Sequence, residues 1–439
     1  MHILRIKQIR VGTILLLLLG LLSIGPLALP ETAAAQTTPT IGIACTYGPS
    51  FTLDAKSGYI LLADGNTMYM WSYAPSGGGF QYPGPVLCVN EGDTVTVVLN
   101  NTLNEATSII FPGQENVLAN GAPAQPQFDG GGTVTSLTDV AAAGGGSMTY
   151  SFVASKPGTY IYESGTSPEK QVRMGLAGVL IVRPALGAAY AYDRADSQFM
   201  PDEEFLVLLS EIDPYQHQAA EQNKPFDLTK YHVHYWLVNG RTFPDTIADN
   251  FASYLPTQPY GALARVHPYD KYLPDGTLNP TPQHAYPGLA RYVNVGFEEV
   301  SFHPHGNNGA VIARDGAPLE ATVGGADLSF EKFAINIGPG QTWDVLFKWY
   351  DAENYCEANP VTGTIPDVVN QTLGMFWGGS PYLGQMGPLP PGASTLNQCG
   401  EYYIISHNHA LFQLDAWGLT MAGQITYMRV DPPLPNSCP

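Results

Sequence analysis

Two short histidine motifs constrain this sequence more than any other feature. His303 and His305 are separated by one residue, and His407 and His409 repeat that spacing about a hundred residues later. Positions i and i+2 of a β-strand project from the same face, so each motif would present two imidazoles side by side. The pattern predicts that these four side chains bind a metal ion, whereas the alternative is ordinary, hydrogen-bonded histidines.

The composition favours an all-β chain with many turns. Only 13% of the 439 residues are charged, and the sequence contains 47 glycines, 37 prolines and 25 tyrosines. Short runs of apolar and β-branched residues, bounded by turn residues, predict strands and therefore a sandwich or Greek-key barrel. The clearest runs are residues 94–99, 178–182, 204–209, 235–240 and 342–349.

Changes in this strand pattern predict the domain organisation. Residues 186–203 lack the pattern and are typical of a linker, and two longer stretches rich in proline and glycine indicate loop insertions in the second domain. The expected segments are a signal peptide at 1–35, an N-terminal domain at 40–185, the linker at 186–203, a C-terminal domain at 204–432 and a tail at 433–439.

The first 35 residues are typical of an export signal. Arg5, Lys7 and Arg10 precede the apolar run 14–22, and small residues at 33–35 would form a cleavage site. No later apolar run reaches the ~20 residues that a membrane-spanning helix needs. We therefore expect a secreted protein, extracellular or in the periplasm or cell envelope, without an integral membrane segment.

The net charge limits the class of partner. The formal net charge is −19, and loss of the first 35 residues would remove three basic residues and one acidic residue. So acidic a surface repels nucleic acid and anionic lipid. The expected partner is a small molecule or a metal ion.

Five cysteines in an exported chain predict disulfide bonds. Cys356 and Cys399 flank a loop insertion and are the first expected pair. Two of Cys45, Cys88 and Cys438 could form a second bond that ties the C-terminus to the first domain. The spacing does not match a structural zinc site.

The order of several motifs resembles that of multicopper oxidases, specifically the two-domain bacterial, laccase-like type. The matching segments are 82–85, 91–93, 107–109, 158–160, 175–182, 301–306 and 407–409. The resemblance covers residues 40–432 and implies two cupredoxin-like Greek-key β-sandwich domains. It also implies copper as the cofactor and, by analogy with two-domain members, a homotrimer whose oxygen site lies between subunits.

Half of the expected copper ligands are missing from this sequence. The family builds a three-copper site from four His-x-His pairs, and the first two pairs align with residues 110–112 (IFP) and 163–165 (ESG). The type 1 copper positions are occupied by Val300, Asn408 and Gln413, and a type 1 site needs a thiolate. The resemblance therefore implies that His303, His305, His407 and His409 are a retained half-site for copper, or for zinc if copper is scarce.

Glu163 occupies the position of a lost histidine. Our hypothesis is that it is a fourth, anionic ligand or an acid/base group beside bound water, and the alternative is an ion pair with Arg173 or Lys170. Two functions stay open: a reduced-type copper oxidoreductase acting on small oxidisable molecules, or a non-catalytic copper-binding or structural protein of the cell envelope. We expect His217, His267 and His284 in loops at the surface, and His232 and His234 offer at most an accessory site.

Overall fold

Strands dominate the described structure. The computed structural model describes residues 41–273, 275–349 and 402–436, together with the backbone of residues 369–370 and 375–376. The predicted signal peptide and Cys356, Cys399 and Cys438 lie outside these residues.

The first β unit contains twelve strands and one short helix. The strands are β1 (Cys45–Tyr47), β2 (Ser50–Leu61), β3 (Thr67–Pro75), β4 (Val86–Asn90), β5 (Thr94–Asn101), β6 (Leu118–Ala119), β7 (Ala122–Pro123), β8 (Gln127–Phe128), β9 (Val134–Ser136), β10 (Ser147–Val153), β11 (Gly158–Glu163) and β12 (Ala177–Arg183), and helix α1 is Pro168–Gln171.

Ten of these strands form two sheets that pack face to face. One sheet has the order β1-β4-β12-β11, the other has the order β3-β2-β5-β10-β6-β7, and β8 and β9 form a separate ribbon. β5 alternates exposed or half-buried residues with buried ones, because one of its faces contributes to the core and the other faces solvent. Trp71, Tyr73, Leu99, Tyr150 and Leu180 are among the residues of the core between the sheets.

The second β unit contains the remaining described strands. They are β13 (Glu204–Ile212), β14 (Tyr235–Val238), β15 (Ala264–Val266), β16 (Gly288–Asn294), β17 (Val300–Pro304), β18 (Gly309–Arg314), β19 (Ala317–Pro318), β20 (Phe330–Lys332), β21 (Ile335–Ile337), β22 (Thr342–Phe347), β23 (Val369–Asn370), β24 (Met375–Phe376), β25 (Tyr402–Asn408), β26 (Asp415–Ala416), β27 (Leu419–Thr420) and β28 (Ile425–Val430), and helix α2 is Pro214–Glu221. Short 3-10 helices span Ala195–Ser197, Leu228–Lys230, Asp245–Ile247 and Leu411–Leu414.

A nine-stranded sheet and a five-stranded sheet form the second sandwich. The order of the larger sheet is β19-β18-β22-β16-β13-β14-β26-β27 with β20 beside β18, and the order of the smaller one is β15-β28-β25-β17-β21. Their core includes Val207, Tyr292, Phe302, Trp343 and Met428. β17 and β25, which carry the histidine motifs, are therefore central neighbours in the smaller sheet.

The two units pack against each other through β12 and β13, both buried along their whole length. A shared cluster contains Val179 and Ile181 from the first unit and Leu206, Leu208 and Val293 from the second. A strand covered on both faces needs a continuous apolar run, and both segments have one. The segment predicted as a linker also packs against the second unit, because its Tyr192 and Phe199 are buried there.

One disulfide bond is present among the described residues. Cys45 of β1 is bonded to Cys88 of β4, and the two strands are parallel neighbours in the same sheet. Because Cys45 and Cys88 are bonded to each other, neither is available for the expected bond that would tie the C-terminus to the first domain. The bond instead closes the edge of the first sheet.

Candidate metal centre

The two histidine motifs meet because their strands are neighbours. β17 and β25 are antiparallel, and His303 is paired directly with His407. His305 and His409 follow the last residues of these strands. Asn408 lies between two of the histidines and is fully buried on the opposite face of the sheet. Strand alternation and register together place the four imidazoles at one site.

The four rings form a continuous cluster. Ring centroids are separated by 4.5 Å for His303–His305, 5.0 Å for His305–His407, 5.4 Å for His303–His409 and 5.8 Å for His407–His409. The Nε2 atoms of His305 and His407 are 3.0 Å apart. Two nitrogens that each lie about 2 Å from one metal ion are separated by about this distance.

Backbone carbonyls orient two of these rings. His303 Nδ1 is 2.6 Å from the carbonyl oxygen of Phe333, and His407 Nδ1 is 2.8 Å from that of Asn408. When Nδ1–H donates to a carbonyl, the lone pair is on Nε2, the tautomer that binds metals through that atom. Both histidines therefore offer Nε2 to the cluster.

The electrostatic environment favours neutral imidazoles. Burial lowers the pKa of His305 to about 4, and the neighbouring His303, His407 and His409 add to the effect because their positive charges would repel its own. Burial also lowers the pKa of His407, although its hydrogen bond to the Asn408 carbonyl opposes this change. Neutral imidazole is the form that binds a metal.

A network of amides fills the opposite face of β25. Asn408 Nδ2 donates to Oε1 of Gln413 and, at 2.7 Å, to Oε1 of Gln424. Asn408 Oδ1 accepts from a backbone N–H, and Gln413 Nε2 donates to Glu298 at 2.8 Å. Val300, at the remaining expected type 1 position, is buried and apolar. These hydrogen bonds satisfy the buried polar groups there, and none of the side chains is a thiolate.

Glu163 lies at the end of β11 in the first unit, and burial raises its pKa. Within the described residues, no hydrogen bond or ion pair joins it to the four histidines of the same chain. The alternative ion pair does not form either. Lys170 pairs with Glu105, and the Arg173 guanidinium stacks 3.8 Å from the ring centroid of Tyr231.

The prediction that His217, His267 and His284 are surface residues is wrong. Their exposed fractions are 1%, 8% and 2%. His217 lies in α2 and its Nδ1 is 2.6 Å from the carbonyl oxygen of Tyr69. His267 and His284 lie in segments outside the strands, but these segments fold over one end of the second sandwich, so a loop position does not imply exposure.

Sequence reasoning also missed the contact of these last two histidines with Glu203. Within the part of the chain that the structure describes, Glu203, His267 and His284 are the residues that place three ligand atoms within 4.8 Å of one another. Glu203 is separated from the two histidines by 64 and 81 residues. No local spacing connects such positions, so no motif could have revealed them.

Comparison with known proteins finds a family model that matches part of the first unit. Residues 67–186 match the family model described as multicopper oxidase. Over these residues the first unit is similar to a multicopper oxidase domain. This finding confirms the family resemblance that the motifs indicated.

Individual relatives and a solved structure are also similar to this chain. The chain is 32% identical over 144 residues to an L-ascorbate oxidase of Cucumis sativus and 30% identical over 149 residues to a copper-containing nitrite reductase of Neisseria meningitidis. These alignments cover 33% and 34% of this chain but only 21% and 32% of the relatives. The solved multicopper oxidase mgLAC superposes over 87% of this chain and 86% of its own with a TM-score of 0.54 and 19% identity. That superposition confirms the prediction of an all-β, cupredoxin-like fold.

No helix among the described residues is long and apolar enough to cross a membrane.

Proposed function

We propose that this protein binds one copper ion through His303, His305, His407 and His409. The observation that carries the proposal is the 3.0 Å separation of the His305 and His407 Nε2 atoms on neighbouring strands. The nitrogens of the four histidines do not place three ligand atoms within 4.8 Å of one another, so the His303 or His409 ring would have to rotate to bring a third nitrogen to the same ion.

The donor set suits copper. Three imidazoles with a water or carboxylate are appropriate for Cu(II), and zinc is the alternative occupant. The curated relatives include proteins named as copper-containing. Bound copper would supply a Lewis acid and a one-electron redox centre. The chain itself orients His303 and His407 through the Phe333 and Asn408 carbonyls, and burial lowers the pKa of His305 and His407.

The amide network supports the absence of a type 1 copper. Such a site needs a cysteine where Asn408 stands, and Asn408 is instead held by Gln413 and Gln424. The first unit has Ile110 and Glu163 where the family has histidines of the oxygen site. The chain would then lack the electron relay of a blue oxidase.

One observation favours residual catalysis as a second candidate function. His409 is exposed and His303 is half-buried, so the cluster is open to small molecules. A single non-blue copper at this place could oxidise a small donor. The competing function is copper sequestration or a structural role in the cell envelope.

The proposal also covers the oligomeric state and the location of the protein. By the family resemblance, the histidine cluster would face Glu163 of another copy of the chain in a trimer, where the carboxylate would be an anionic ligand or acid/base group. Residues 1–35 would direct export to an oxidising compartment, consistent with the Cys45–Cys88 disulfide bond.

The test is copper content per chain after loading with Cu(II), together with the visible spectrum. We expect the double variant His305→Ala/His407→Ala to bind one equivalent of copper fewer than wild type, and we expect no intense blue band. The matched control is His232→Ala/His234→Ala, which removes another i, i+2 histidine pair and should leave copper content unchanged. Equal copper in wild type and the His305/His407 variant would refute the proposed site, and an intense blue band would refute the loss of the type 1 centre.

Activity separates the two functional candidates. Oxidation of small phenols or other one-electron donors by the copper-loaded protein, abolished in the His305→Ala/His407→Ala variant, would support an oxidoreductase. Full copper occupancy with no turnover above free Cu(II) would support a binding or structural role.

A further inference from the structure

We propose that Glu203, His267 and His284 bind a second metal ion, zinc, which stabilises the second sandwich at the end away from the histidine cluster. This inference is independent of the copper proposal. It rests on three residues that come from separate parts of the chain and meet in the interior.

The three potential ligand atoms lie close together, at slightly shorter separations than they would have around a bound ion. Glu203 Oε1 is 2.7 Å from His267 Nδ1 and 2.8 Å from His284 Nε2. The exposed fractions of the three residues are 3%, 8% and 2%. Ligand atoms in tetrahedral geometry around an ion at ~2.0–2.2 Å are about 3.3–3.6 Å apart, so these atoms would have to move apart by about 0.5–0.9 Å.

Only one of the two carboxylate oxygens of Glu203 has hydrogen-bond partners among the described residues. Oε1 receives contacts from both imidazoles and from the His267 backbone N–H, whereas Oε2 is buried without a partner. Nδ1 of His284 is likewise buried without a partner. A buried carboxylate oxygen with no donor is costly, and a bound cation would remove that cost.

Charge balance leads to the same conclusion. Among the described residues, the ion-pair partners of Glu203 are His267 and His284, and no lysine or arginine pairs with it. A buried carboxylate that has no lysine or arginine partner is costly to ionise. A divalent cation would neutralise the carboxylate charge while using the lone pairs of both histidines.

The surroundings include an outer shell typical of metal ligands. With Nδ1 of His267 on the metal, its Nε2–H faces Asp431 Oδ2 at 3.6 Å. Asp431 is itself held by Arg265 and Arg429, at 2.5 and 2.6 Å. Carboxylates commonly orient metal-binding histidines by accepting this N–H, and Asp431 would do so after a small approach of the His267 ring.

The loop that carries His284 is held in place by hydrogen bonds to Asp270, which does not belong to the proposed metal site. Asp270 accepts hydrogen bonds from the backbone N–H groups of Gln283 and His284 at 2.7 and 2.8 Å. His267 directly follows β15, and Glu203 directly precedes β13. A metal here would fasten two loops to the start of a central strand.

The donor types select the metal. Two imidazoles and one carboxylate suit zinc, whereas calcium and magnesium prefer oxygen ligands alone. The burial of all three residues, rather than the type of ligands, favours a structural role for the ion.

The second site is distinct from the histidine cluster. His407 is paired with Ile425 at the start of β28, while Asp431 follows the end of that strand. At ~3.3 Å per residue, these positions are about 20 Å apart along the strand.

Zinc content of two double variants tests the proposal. His305→Ala/His407→Ala disrupts only the first cluster, and Glu203→Gln/His284→Gln disrupts only the second. After loading with Zn²⁺ and gel filtration, we expect the first variant to retain one equivalent of zinc and the second to lose one equivalent relative to wild type. Zinc should also raise the melting temperature of the first variant, and His232→Gln/His234→Gln should keep the wild-type content.

Two results would overturn the inference: a folded His305→Ala/His407→Ala protein without zinc, or a Glu203→Gln/His284→Gln protein with the full wild-type content. If circular dichroism shows that the Glu203/His284 variant does not fold, the first variant still decides. Its zinc K-edge absorption spectrum must then show nitrogen and oxygen ligands from two histidines and a carboxylate, and a spectrum of hydrated zinc would contradict the proposal. Failure of copper binding at the first cluster would leave this result untouched.

Discussion

Glu211 is a buried carboxyl group with an unusual acidity. Burial raises its pKa to about 7, against the opposing effect of the Phe297 backbone N–H, which donates to Oε1 at 2.5 Å. The nearby carboxylate of Glu298 raises the pKa further. The group is therefore largely protonated in the folded protein at pH values where it is ionised in the unfolded chain.

A neutral replacement at this position should change the pH dependence of stability. Because the pKa of Glu211 is higher in the folded state, wild type loses stability as pH rises from about 4.5 to 7, by about 3 kcal/mol in total. Glu211→Gln has no such loss and keeps the Phe297 hydrogen bond. Its free energy of unfolding relative to wild type should therefore rise by about 3 kcal/mol between pH 4.5 and 8, measured by urea denaturation. Parallel pH profiles for the two proteins would contradict the assignment.

At the scale of strands, the two faces of β25 have separate tasks. One face carries His407, and the other carries Asn408 in the interior amide network. The strand therefore combines a solvent-accessible cluster of nitrogen ligands with a fully satisfied buried polar group. Changes at Asn408 test the second task without removing a proposed ligand.

Asn408→Leu should destabilise the fold by about 2–4 kcal/mol. The substitution leaves the buried Oε1 atoms of Gln413 and Gln424 without the Asn408 donor, and each unsatisfied group costs about 1–3 kcal/mol. Urea denaturation measures the change, and Thr420→Ala at an exposed site of β27 is the control. An unchanged free energy of unfolding would show that the network is not needed for stability.

Sequence patterns predict the strands well where their physical signal is local. The run predicted at 204–209 is part of β13 (Glu204–Ile212), and the run at 342–349 contains β22 (Thr342–Phe347). Both strands are buried along their whole length and are largely apolar, although β22 also contains the buried Asp344. The same alternation rule places each pair of motif histidines on one face.

The missed features depend on contacts between distant residues. Glu203 meets His267 and His284 only after two loops fold over the sandwich, so the sequence shows three unrelated positions. The alternative ion pair of Glu163 with Lys170 or Arg173 does not form for the same reason, because their partners Glu105 and Tyr231 come from other segments. Local periodicity contains no information on which loops meet.

At the scale of the whole molecule, a buried polar network joins the two β units. Arg183 of β12 donates two hydrogen bonds of 2.7 Å to the carboxylate of Glu204, the first residue of β13. Arg291 of β16 also donates to Glu204, at 2.5 Å, and to Thr159 of β11 at 2.8 Å. Thr159 in turn donates to Asp344 of β22. The network lies beside the apolar cluster between β12 and β13 and fixes their relative position.

Glu204 should make the stability of the entire chain sensitive to acid. Burial alone would raise its pKa, but the guanidinium groups of Arg183 and Arg291 outweigh burial and lower the pKa to about 2. A carboxyl whose pKa is lower in the folded state stabilises the fold above its unfolded pKa of about 4.5, and this contribution of about 3 kcal/mol is lost as pH falls toward 2.

Glu204→Gln should therefore destabilise the chain by about 3–5 kcal/mol at pH 7, because two buried guanidinium groups lose their carboxylate. The difference from wild type should shrink as pH falls toward 2, since protonation then neutralises Glu204 in wild type as well. Urea denaturation between pH 7 and 2.5 measures both quantities. Glu115→Gln, in the exposed pair with Lys156, is the control and should show no comparable change. A pH-independent difference between wild type and Glu204→Gln would mean that shape, rather than the charge shared between the two β units, determines the effect.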